Sequence, residues 1–213
     1  MTGGQPDEAD TLPEPPPDLA QRTLPMVERT PGDRLLRIHR ANDGAIWFGW
    51  DAASATFRAA TNRFDSPGRS FGVLYLALTR DGAFAESIGR KPRSFRADKE
   101  LAELRLSTLA LARSLRLVDL HGGAAVGAMG ATGVVGVGPQ SLARRWAQAL
   151  HDHPSQPDGI EYRCRNNSDE LAVALFNRVG NDAVVPVDAG DLVGDRPWLL
   201  AMRSRHQIWN PRN

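Results

Sequence analysis

Cysteine is nearly absent from this chain: Cys164 is the one thiol in 213 residues. That excludes an internal disulfide. The start, Met1-Thr2-Gly3-Gly4-Gln5, carries neither a basic stretch nor an apolar one. A lone thiol without a secretory signal pattern fits a reducing compartment, so a cytoplasmic location is expected. Charge of one sign is also missing. Lys and Arg number 26 against 25 Asp and Glu, for a net charge of +1. Such a chain has no broad field to draw in nucleic acid or anionic lipid. No apolar run approaches the roughly 18 residues that a membrane helix needs. The glycine-rich stretch from Gly122 to Gly138 is not followed by Gly-Lys-Ser/Thr, which excludes a P-loop, and no strand–GxGxxG–helix unit marks a dinucleotide-binding turn. His151 and His153 flank Asp152, but further ligands at metal spacing are lacking, so no metal is expected. Cys164 has no convincing histidine partner, which argues against a nucleophilic thiol.

What is present suits one globular domain. The length allows a proper core, and 41% hydrophobic residues is ordinary for such a domain. Residues 1–33 stand apart. Pro6, Pro13, Pro15, Pro16, Pro17, Pro25 and Pro31 fall there, and acidic residues outnumber basic ones. This composition predicts a disordered leader that buries too little apolar surface to offset its ordering entropy. An arm docked on the domain or on a second copy of the chain is the alternative. Residues 34–213 form the expected domain.

Within it, Leu35–His39 reads as a strand and Ala45–Phe48 as an apolar loop segment. Gly72–Leu78 is apolar enough for a central strand. Thr79 or Asp81 can cap a helix over about Gly82–Ile88, with Lys91-Pro92 beyond it as a stop. Residues 103–107 and 116–120 alternate, predicting two strands joined by a turn near Ala112–Ser114. The glycine-rich segment reads as a loop beside a short helix. Pro139-Gln140-Ser141 opens an amphipathic helix to about Leu150, with Leu142, Trp146 and Leu150 on one face. Residues 158–164 and 172–176 are strands, and Val184–Val187 is an edge strand because of Pro186. Strands dominate, with helices interspersed: a single α+β domain with a mixed, strand-rich core.

One stretch carries the chemistry. Arg63-Phe64-Asp65-Ser66-Pro67-Gly68 is a charged turn, Gly72–Ala77 a buried strand, and Ala83-Phe84-Ala85-Glu86 a helix. An arginine before the strand, Tyr75 inside it and Glu86 after it can converge on one cleft. A cation, an aromatic face and a carboxylate suit an anionic dinucleotide and a positively charged sugar. Taken singly, each residue has an ordinary structural use: ion pairs for the arginines, a solvated helix position for Glu86, core packing for Tyr75 and Cys164.

The ordered set Leu36-Arg37-Ile38-His39, Arg63-Phe64-Asp65, Leu74-Tyr75-Leu76-Ala77, Ala83-Phe84-Ala85-Glu86, Val118-Asp119-Leu120, Gln140-Ser141 with Trp146, and residues 158–165 followed by Ala174-Leu175-Phe176 resembles the RES domain, over about residues 33–190. The resemblance implies an ADP-ribosyltransferase-like fold and a toxin paired with an Xre-like antitoxin. It implies degradation of NAD+ at the nicotinamide–ribose bond, by phosphate or by water, with no other cofactor. By the same resemblance Arg37 and Glu86 are catalytic, and Arg63, Tyr75 and Cys164 contact substrate. Cys164 replaces the family serine, since Tyr-x-Ser-Arg reads Tyr162-Arg163-Cys164-Arg165 here. Should the register differ, Arg40 takes the place of Arg37; a regular strand puts the two on opposite faces. Two other functions stay open: a protein ADP-ribosyltransferase, which Phe84 two positions before Glu86 disfavours, and a non-catalytic module that only engages a partner.

Overall fold

Residues 13–90 and 98–208 are described by the computed structural model of the protein. Among them the strands are β1 (Met26–Arg29), β2 (Arg34–Arg40), β3 (Trp50–Asp51), β4 (Thr56–Phe57), β5 (Val73–Ala77), β6 (Leu104–Leu111), β7 (Leu115–Asp119), β8 (Gly159–Cys164), β9 (Asn167–Phe176) and β10 (Val184–Asp191). The helices are α1 (Arg80–Ser87), α2 (Asp98–Leu101), α3 (Gly123–Ala128), α4 (Val134–Val137), α5 (Gln140–His151) and α6 (Arg196–Arg205). Eight strands join in the order β1-β7-β8-β9-β5-β2-β6-β10, and β3 pairs with β4 in a small hairpin. The pairing is antiparallel except between β7 and β8. The expected α+β class is found.

The alternation read in residues 103–107 and 116–120 reflects real strands, and they do not pair with each other. β6 lies between β2 and β10, β7 between β1 and β8. Only Ala112–Ser114 separates them in the chain, so the sheet must curl until its distant strands approach. One concave face packs Leu35, Leu109, Leu115, Leu117, Val173 and Leu175 together. On the opposite face α5 lays Leu142, Trp146 and Leu150 against Ile160, Tyr162 and Ala174. β10 is an edge strand, and Pro186 coincides with a shift in its register against β6.

The leader is where the expectation fails. Residues 1–12 lie outside the described residues, but 13–33 are docked. Leu19 and Leu24 are buried in the α5 core. The Trp146 Nε1–H donates to the Pro13 carbonyl at 2.7 Å, and Arg145 pairs with Glu14. β1 adds to the sheet edge against β7. Arg29 then forks onto the buried Glu161 carboxylate at 2.7 and 2.8 Å, and His121 approaches the same group at 2.9 Å. Proline-rich composition concealed a segment whose Leu19 and Leu24 are buried in the core and whose Met26 packs against it.

The chain end also exceeds the expectation. Arg203 and Arg205 belong to α6 and reach Asp98 and Asp81 at 2.8 Å. Lys91-Pro92, expected as the stop after α1, lies outside the described residues. Through Leu199 and Met202, α6 covers Phe84 of α1 and its C-terminal cap residue Ile88. The helix that carries Glu86 is thus clamped from behind.

Candidate active site

The pairing between β2 and β5 consists of one rung, Leu36 opposite Ala77. Continued in register, Arg37 would face Leu76 and Ile38 would face Tyr75. Instead all six residues line a cleft of about 740 Å³. Backbone that would have closed a ladder borders open space.

The loop before β5 forms one wall, and Asp65 organises it. The Thr61 and Asn62 N–H groups donate to Asp65 Oδ2 at 2.9 and 2.7 Å. The Tyr75 hydroxyl donates to Oδ1 at 3.0 Å and accepts from the Phe64 N–H at 2.9 Å. Arg58 lies 3.6 Å from the same carboxylate. Gly72 lets the loop approach β5: a Cβ there would stand 2.2 Å from the Phe48 carbonyl oxygen. Burial, with Asp65 adding to it, holds the Tyr75 phenol well above its usual range. Tyr75 therefore lines the cleft while its hydroxyl stays bonded into the loop that forms the wall.

Arg37 is half-buried and donates to the Ala45 carbonyl at 2.7 Å. Burial, with Arg58 nearby, pushes its guanidinium down to about 10, which leaves it charged at neutral pH. Arg40 is exposed and outside the cleft wall. Arg63 is buried and donates to Gly138 O at 2.8 Å, tying the end of the glycine-rich segment to the rim. Burial lowers its pKa, and Arg165 adds to the effect.

Glu86 stands in the last turn of α1, whose start is capped by Thr79 accepting from the Gly82 N–H at 2.9 Å. Its Oε2 accepts from the Tyr162 hydroxyl at 2.8 Å. Burial raises its pKa above the model-peptide 4.5; Tyr162, Arg90, Cys164 and Arg63, in that order, pull the other way. It is the one acidic side chain in the cleft wall among the described residues, and Arg37, Arg58, Arg63, Arg90 and Arg165 share that wall. Phe84, by contrast, packs into the α6 core against Trp198 and His206.

The structure brings Arg37, Arg63, Tyr75 and Glu86 together, but it does not place Cys164 in the cleft wall. Cys164 is fully buried, its thiol 4.0 Å from the Gly82 carbonyl oxygen. A direct substrate contact from the thiol is therefore corrected to a place behind Glu86. Its neighbours Arg165 and Asn166 reach the cleft instead. Arg58, Asn62, Arg90 and Gln140 complete the wall, and loop arginines carry no periodic signal by which to find them. The histidine pair has separate uses: His151 stacks on Phe71, 4.1 Å between centroids, and His153 meets the Leu19 and Arg22 carbonyls at 3.2 Å.

The chain that carries this cleft has a counterpart among known domains. The family model of the RES domain matches residues 34–195. The chain belongs to the RES domain family. Among solved structures the RES fold is similar to a chain of the M. tuberculosis MbcT–MbcA toxin–antitoxin complex. The TM-score is 0.60 at 17% identity, covering 89% of this chain and 98% of that one. At that identity the likeness establishes the fold. Among curated proteins none matches significantly. No described helix of this RES domain is long and apolar enough to cross a membrane.

Proposed function

We propose that this RES domain cleaves NAD+ at the nicotinamide–ribose bond and serves as the toxin of a toxin–antitoxin pair. One observation carries the reading: a single carboxylate, Glu86, in a cleft wall with five arginines. That suits a dinucleotide whose pyrophosphate is doubly anionic and whose cleavage moves positive charge onto the ribose. The arginines suit the pyrophosphate, through forked, charge-assisted hydrogen bonds. The Tyr75 ring offers an apolar face to nicotinamide or ribose.

The C1′–N bond breaks with its electron pair passing to the pyridinium nitrogen, which leaves as neutral nicotinamide. Positive charge develops on the ribose, and Glu86 stabilises it electrostatically. An oxygen nucleophile then bonds to C1′. Inorganic phosphate gives ADP-ribose 1″-phosphate; water gives ADP-ribose and releases one proton. Phe84 lies in the core, so its position supplies no second polar group for a protein acceptor. This favours NAD+ destruction over protein modification. The solved neighbour is a toxin–antitoxin complex, which supports an antitoxin protein as partner, for which the family resemblance suggests an Xre-like type.

The test is incubation of the purified chain with NAD+, with and without phosphate, followed by chromatography. Nicotinamide should appear together with one of the two ADP-ribose products. Intact NAD+ in both buffers would dismiss the catalytic reading and leave the partner-binding one.

A further inference from the structure

Glu86 is poorly placed to be an anion. The last turn of a helix gathers carbonyl ends, which disfavour negative charge, and burial removes water from the carboxylate. Groups around it must compensate. Arg90 from the turn after α1 and Arg63 from the loop before β5 supply positive charge at the open side. On the closed side β8 runs beneath the carboxylate. Tyr162 and Cys164 are two residues apart on that strand, so both side chains leave the same face.

The Tyr162 hydroxyl donates to Glu86 Oε2 at 2.8 Å. Its ring is 2% exposed and meets Phe64 edge-on, 4.8 Å between centroids. A ring so enclosed cannot swing its hydroxyl elsewhere. Burial and the nearby Glu86 keep the phenol protonated far above neutrality, so it remains a donor at working pH. Cys164, buried beside it with its thiol 4.0 Å from the Gly82 carbonyl oxygen, also favours the ionised carboxylate.

We propose that Tyr162 is a positioning residue for the reaction, pinning Glu86 Oε2 to β8 so that the other oxygen, Oε1, is turned to the cleft before substrate arrives. The inference rests on the reading of Glu86 as the carboxylate that stabilises the sugar cation. It also fits the place of the family serine in this chain: Cys164, on the same face of β8 as Tyr162, is fully buried and outside the cleft wall.

Tyr162→Phe keeps the ring and removes the donor. A hydrogen bond to a charged group implies a fall in kcat of about ten- to a hundredfold. KM for NAD+ should move little, because no arginine is disturbed. The acid limb of the kcat profile should shift to higher pH, since the lost bond favoured the ionised carboxylate. The same displacement should appear in the Glu86 carboxyl signal of 13C-glutamate-labelled protein, identified by its absence in Glu86→Gln. Should Tyr162→Phe not fold, fluorotyrosine in place of the two tyrosines keeps the rings and strengthens the donors. Tyr75 donates to Asp65, so movement of the Glu86 signal to lower pH reports Tyr162. Wild-type kcat with an unmoved Glu86 titration overturns the proposal. If the unmodified chain leaves NAD+ intact, the proposed reaction fails, and the carboxyl titration still decides whether Tyr162 holds Glu86.

Discussion

Leu36 sits opposite Ala77, and beyond that single rung β2 and β5 part company. The site follows from this separation. Each strand is held firmly on its other side, β2 by seven paired positions with β6 and β5 by five with β9. The split therefore costs the sheet little, and side chains from both strands border a cleft without unfolding anything. Arg37 and Tyr75, which would have been near neighbours in a closed ladder, line the same cleft in the open one.

Glu86→Gln should lose nicotinamide release by on the order of a hundredfold or more, the usual consequence of removing preorganised electrostatic help. The amide keeps the shape and can still accept from Tyr162. Product chromatography against a circular-dichroism control for folding checks this, and near-normal turnover would remove Glu86 from the chemistry.

The same residue sets a pH dependence. Its folded pKa is raised above 4.5, mainly by burial. Activity that needs the ionised form should therefore rise with pH through a range where an ordinary glutamate is already charged. Stability runs the other way: a raised carboxyl pKa means the native state binds more protons than the unfolded one. Glu86 thus destabilises as pH rises through its folded pKa and has no such effect below the unfolded value. Relative to wild type, Glu86→Gln should melt at the same or higher temperature at pH 7, and any gain should shrink on acidification. Thermal melts at several pH values give the answer; a Tm clearly lower at pH 7 counts against a buried carboxylate.

Arg29 tests the docked leader. Its side chain is a quarter exposed, while Glu161 is 1% exposed. Arg29→Ala leaves that carboxylate with His121 as its remaining side-chain partner among the described residues. Discounting for the partial exposure of Arg29, a loss of roughly 2–4 kcal/mol is expected. Deleting residues 1–30 should cost more, since Leu19, Leu24 and the Trp146–Pro13 bond go too. Denaturant melts measure both, and wild-type stability of the deletion would mean that the arm contributes nothing.

The sequence shows β5 and the second half of β9 because they are continuous apolar runs buried on both faces, and α5 because Leu142, Trp146 and Leu150 recur near the 3.6 period. It also shows the order of Arg37, Arg63, Tyr75 and Glu86. It hides β1, because four residues between prolines carry no period, and the bond from Trp146 to Pro13 depends on chain partners 133 positions apart. It hides Arg58 and Arg90 for a similar reason. A loop arginine reads as solvated until the fold puts it beside a cleft. Arg165 was within reach, being the residue after Cys164 in a motif already singled out.

Cys164→Ser separates two uses of one position. Cys164 is fully buried, so a new hydroxyl without an acceptor would cost about 1–3 kcal/mol. An acceptor is at hand, however: the Gly82 carbonyl oxygen lies 4.0 Å from the thiol sulfur, and Cys164 already favours the ionised form of Glu86. A hydroxyl is the stronger donor, although its shorter bond to Cβ requires the neighbours to close in slightly. The expected variant has near wild-type stability, equal or higher kcat, and an acid limb moved to lower pH because Glu86 gains a better donor. KM for NAD+ should stay constant, as the side chain is outside the cleft wall. Kinetics across pH and one melting curve suffice. A marked drop in KM would restore the direct substrate contact that the buried position argues against; a stability loss with unchanged kinetics would make Cys164 plain core, with no part in holding Glu86.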